Sequence, residues 1–93
     1  MTFKLVKAIR VKPLSGYRLD IAFSDGSSGI ADLNEIVRSK GEMARPLADE
    51  TFFAQVFLEM GAPTWPNGYD ADPTHIRMKL EAAGELRTTS ATA

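Results

Sequence analysis

The chain has 93 residues, 11 basic and 12 acidic side chains, a formal net charge of −1 and no cysteine. That length suits one hydrophobic core, and 44% hydrophobic with 25% charged residues is ordinary for a soluble domain, which argues against disordered, collagen-like and membrane-spanning classes. Without cysteine there are no disulfides, thiolate metal sites or cysteine nucleophiles, and the balanced charge lacks the basic surplus of a general nucleic-acid binder.

Residues 3 to 11 alternate in hydropathy with a two-residue period broken once, which predicts a strand with one buried face. Lys4, Lys7 and Arg10 interrupt its apolar residues, so no secretory leader is expected and a cytoplasmic location is. Pro13 is expected to end the pairing and Ser15-Gly16 to turn the chain. Tyr17, Leu19, Ile21 and Phe23 then alternate with Arg18, Asp20, Ala22 and Ser24, the cleanest strand signal in the sequence. Asp25-Gly26 predicts a hairpin, because both residues tolerate positive φ. A third strand returns over about Ser28 to Ala31.

Asp32, with Glu35 three residues on, predicts a capping box for a helix from about Leu33 to Ser39. Gly41 to Ala48 reads as a loop carrying Pro46, and Asp49 as the N-cap of a second short helix bearing Phe52, Phe53 and Val56. A strand is placed at about Gln55 to Met60, a turn at Gly61-Ala62-Pro63 and a brief last strand at Thr64-Trp65. Pro66-Asn67-Gly68 is a tight turn, since proline fixes φ early and the next two residues accept left-handed geometry. Asp72-Pro73 opens a final helix carrying Ile76, Leu80 and Ala83, which Gly84 stops. The order β-β-β-α-α-β-β-α predicts a single α+β domain over residues 1–84, an antiparallel sheet with helices packed on one face. Residues 85–93 read as a flexible tail, poor in apolar side chains.

Three stretches carry a resemblance. They are Tyr17 to Gly26, then Pro46-Leu47-Ala48-Asp49 with Phe52 or Phe53, then Trp65-Pro66-Asn67-Gly68-Tyr69-Asp70. Together they resemble the small bacterial proteins grouped as Domain of Unknown Function 2442, over about residues 4 to 80. The resemblance implies a stand-alone α+β module, sometimes followed by a helix-turn-helix DNA-binding domain, and a gene neighbourhood like that of a toxin–antitoxin pair. It brings no catalytic residues. With nine residues after Gly84, an appended DNA-binding domain is expected to be missing here.

Chemistry is sparse. Asp70, Asp72 and His75 are the one group that reads as candidate ligands or an acid–base set for a metal, small molecule or enzyme reaction, set against the simpler reading of a cap, a turn and an exposed imidazole. Ser24, Asp25 and His75 lack a nucleophile elbow, and Gly26 with Gly29 lacks the spacing of a phosphate loop. Trp65 reads as core packing or, with Asn67, Tyr69 and Asp70, as an interaction patch. Charge is segregated: Lys4, Lys7, Arg10, Lys12 and Arg18 precede the first acid, Asp20, whereas five acids and no base lie between Asp49 and Asp72. The preferred expectation is a non-enzymatic protein-interaction module without cofactor, pairing with a protein partner or itself and touching nucleic acid only indirectly; it includes an antitoxin-like role. The alternatives are a ligand-binding domain or enzyme built on Asp70, Asp72 and His75, or a regulator-related module.

Overall fold

The computed structural model describes residues 5–39 and 41–88. Strands β1 (Ala8–Leu14), β2 (Arg18–Phe23), β3 (Ser27–Asp32) and β6 (Arg87–Thr88) form one antiparallel sheet in the order β1-β2-β3-β6. Strands β4 (Phe57–Glu59) and β5 (Ala62–Thr64) form a separate two-stranded ribbon. Helices α1 (Asn34–Val37) and α2 (Glu50–Phe53) are single turns, joined through a 3-10 turn at Arg45–Ala48; α3 (Pro73–Ala82) is the one longer helix among the described residues. The α+β architecture follows the sequence pattern.

Leu19, Ile21 and Phe23 carry no exposed surface and centre the core, joined by Leu33, Leu47, Phe53, Trp65, Ile76 and Leu80. The Asp25-Gly26 hairpin forms as expected: Gly26 has φ +91° and its N–H donates to Phe23 O at 3.1 Å. Asp49 and Asp72 cap α2 and α3, each carboxylate accepting from the N–H two residues on at 2.9 Å.

Several expectations are corrected. In β1 the register slips between Ala8 and Arg10. This β-bulge changes which residues face inward: Val6 and Ala8 are buried before it, Val11 faces Ile21 after it, and Ile9 is left 63% exposed. The extra residue is Ile9; apolar members of the alternating series, Leu5 before the bulge and Ile9 in it, face outward while Val6 and Ala8 face inward. Pro13 does not end the strand, because β1 lies at the sheet edge, where a missing N–H costs no ladder bond. The predicted stretch at residues 3 and 4 lies outside the described residues.

Asp32 forms no capping box. Its Oδ1 is taken by Asn34 N–H and Nδ2 at 2.9 and 2.7 Å, while Glu35 turns to Lys79 Nζ at 2.7 Å. The ribbon turns at Met60-Gly61, both at positive φ, so Ala62 and Pro63 belong to β5. Gly61 O accepts from Ala8 N at 2.8 Å and ties the ribbon to β1. Residues 85–88 are no loose tail: Arg87 and Thr88 pair with Ser28 and Ser27, since main-chain pairing needs no apolar side chain, and Leu86 packs against the core.

Candidate functional site

The segment Trp65 to Asp70 serves packing. Trp65 is 0% exposed, its indole N–H donates to Phe53 O at 2.9 Å, and its ring stands 5.7 Å from Phe53 and 6.0 Å from Tyr69. A fully buried ring presents nothing to a partner, so Trp65 leaves the expected interaction patch. Asn67 works as a clamp. Its Nδ2 donates to Met43 O at 2.9 Å and its Oδ1 accepts from Tyr69 N at 3.1 Å, fixing the 41–44 loop to the turn. Tyr69 is half-buried; burial, with the Asp70 carboxylate behind it, pushes its hydroxyl pKa up. Asp70 pairs its backbone with Thr64 in an isolated bridge.

Asp70, Asp72 and His75 are given separate tasks. Asp72 is spent as the α3 cap, and His75 is exposed in the first turn of that helix. Among the described residues no three His, Cys, Asp or Glu side chains come together to hold a metal ion. His75 does line a cavity of about 540 Å³ between α1 and α3, floored by Leu33, Ile76 and Leu80 and crossed at its rim by the Glu35–Lys79 ion pair. Lys79, through its hydrogen bond and its charge, holds the Glu35 carboxyl below its ordinary pKa.

Three of the five basic residues noted in the sequence, Arg10, Lys12 and Arg18, share one face of the sheet; Lys4 lies outside the described residues and Lys7 packs by Gly61 instead. Because β-strand side chains alternate, the even positions of β2 and β3 face away from the core. The register then writes three cross-strand rows: Arg10–Ala22–Ser28–Arg87, Lys12–Asp20–Ile30 and Leu14–Arg18–Asp32. Among the described residues no helix packs on this face, since the helical core residues all meet the opposite one. It carries four cations against two carboxylates. Asp20 engages Arg10 at 3.4 Å, and Arg18 Nε donates to Ser15 O at 2.9 Å. Asp32 lies below the ordinary carboxylate range because Asn34 donates to it from both side chain and backbone. Lys12 and Arg87 make no ion pair among the described residues. Sequence reading grouped Arg10, Lys12 and Arg18 but missed Arg87, which joins them through a pairing with Ser28 nearly sixty positions away.

The β1 edge of the sheet is poorly suited to a strand added from outside. The β1 edge carries a bulge, Pro13, basic side chains and the covering contact to Gly61. The broad face is therefore the better-built surface. A family model described as a protein of unknown function (DUF2442) matches residues 8–81. No curated protein and no solved structure matches the chain.

Proposed function

The chain belongs to the DUF2442 family, and we propose that it is a non-enzymatic protein-interaction module docking its partner through the open sheet face. The observation that carries this reading is the face itself: three strands wide and four along one row, with half-buried Ala22 and Ile30 beside Ser28 and Asp20 at its centre, cations on both flanks, and no helix above it among the described residues. Half-buried apolar positions ringed by charge are what a partner surface requires. The cysteine-free composition suits a reducing bacterial cytoplasm. An antitoxin-like role in a two-gene pair is one use of such a face.

The test is affinity capture from the native host with the wild-type chain and with Ala22→Tyr. Tyrosine is a good strand former, so it fills the centre of the face while keeping the fold. A partner retained by wild type and lost by Ala22→Tyr supports the reading. A partner bound equally by both, or none retained by wild type, refutes it.

A further inference from the structure

The row Arg10–Ala22–Ser28–Arg87 crosses all four strands of the sheet. At about 4.8 Å between neighbouring strands, its two arginines stand about 14 Å apart at the backbone. Between them lie the small side chains Ala22 and Ser28, with Asp20 and Ile30 side by side in the next row. The face is thus a shallow trough floored by Ala22, Ser28 and Ile30 together with Asp20, whose charge is met by Arg10 at 3.4 Å, and flanked by Lys12 on one side and Arg87 on the other. An α-helix with its side chains is about 10–12 Å across and fits such a trough, where a second sheet meets the walls first.

We propose that this trough seats an acidic amphipathic helix of a partner protein. The inference deepens the docking function proposed above and rests on it. Such a helix places its apolar stripe on Ala22 and Ile30 and its carboxylates against Lys12 and Arg87, which have no ion-pair partner of their own among the described residues. A second copy of the chain is the poorer occupant. Face-to-face pairing sets the cations of one copy against those of the other, and the acidic stretch from Asp49 to Asp72 offers a single four-residue helix, α2, ahead of the α3 cap. Buried on its apolar side and charged outside, a partner helix adds a layer to a face that an antiparallel sheet ordinarily leaves to solvent.

The probe is a designed 18-residue helical peptide with a leucine and alanine stripe flanked by glutamates. Its controls are the same peptide with lysine for glutamate and a glutamate-only peptide that does not fold. Amide chemical shifts of the full chain are followed by NMR at two salt concentrations. The expected result is shifts centred on residues 10, 12, 22, 28, 30 and 87, with affinity roughly tenfold or more above both controls and falling as salt screens the contacts. Lys12→Glu with Arg87→Glu abolishes the binding, and the milder Lys12→Gln with Arg87→Gln weakens it if the reversed pair disturbs folding. Equal binding of the lysine peptide, equal binding of the unfolded peptide, shifts mapping to the α1–α3 cavity, or no binding overturns the proposal. A host partner lost with Ala22→Tyr but not displaced by the peptide sinks the helix alone and leaves the docking function standing.

Discussion

Arg77→Met tests how the last helix is tied to the central hairpin. Arg77 Nε donates to Asp25 Oδ2 at 2.9 Å, across 52 positions of sequence, and the two side chains are only 11% and 13% exposed. Asp25 also accepts from Ser27 N–H at 3.0 Å and Ser27 Oγ at 2.6 Å. Partial burial pushes its carboxyl up, but the Ser27 bonds and the guanidinium outweigh it, and the folded pKa lies below the ordinary value. Methionine keeps the packing of the arginine stem and deletes the charge and donor. A hydrogen bond to a charged group contributes about 1.5–3 kcal/mol; discounted for remaining solvent screening, the loss is about 1.5 kcal/mol.

For a domain of this size that is a fall in Tm of roughly 6–12 °C. A double-mutant cycle with Asp25→Asn measures the coupling, with thermal melts read by circular dichroism across pH. A carboxyl with a lowered folded pKa contributes stability above its unfolded value and loses it as pH falls through the folded one. Wild type therefore loses this increment below about pH 4, and Arg77→Met loses less over the same window. A Tm change under 2 °C (about 0.3 kcal/mol on the same scale), or parallel acid limbs for the two proteins, refutes the assignment.

Three further outcomes are expected. Asn67→Ala frees both the 41–44 loop and the Tyr69 N–H, costs about 1–2 kcal/mol by urea titration, and raises hydrogen exchange in that loop. At Gly29 an added Cβ meets Leu80 Cδ1 at 2.9 Å and Glu85 O at 3.1 Å, so Gly29→Ala costs about 1–3 kcal/mol and weakens the β6 pairing, seen as lost protection at Arg87. Met60→Asn stabilises by about 0.5–1 kcal/mol, because Met60 holds φ +53° with its side chain 91% exposed and asparagine adopts that geometry at less cost.

Local signals were read well, and those that depend on distant chain were not. Leu19, Ile21 and Phe23 alternate within one strand and Asp25-Gly26 closes it, so the hairpin needs nothing beyond its own residues. Asp49 and Asp72 cap because their carboxylates reach the backbone two residues on. Asp32 has the same chemistry, yet Asn34 offers it a side-chain amide as well, and Glu35 is drawn off by Lys79 from another helix. Lys7 is the one break in the alternation, but only the pairing of Ala8 with Phe23 and of Arg10 with Ala22 reveals a bulge, at Ile9. Trp65 was open between core and interface until Phe53 O supplied its acceptor. Arg87 reaches the basic face through a strand of two residues, too short to leave any hydropathy pattern.

One small clip has a kinetic meaning. The buried Thr74 Oγ1, in the first turn of α3, accepts from Val6 N–H at 3.1 Å, joining positions 68 apart. The β1–β2–β3 meander closes through short loops, whereas this contact needs most of the chain to be in place first, at a larger loop-closure entropy. Residues 5–7 are thus expected to dock late in folding, with the bond to Thr74 made on the native side of the barrier. Thr74→Val is expected to speed unfolding more than it slows folding in stopped-flow chevrons. Interactions made after the transition state set how slowly a protein opens rather than how fast it forms. A single threonine hydroxyl at the start of the last helix is thereby expected to act as a brake on unfolding, through a residue 68 positions away.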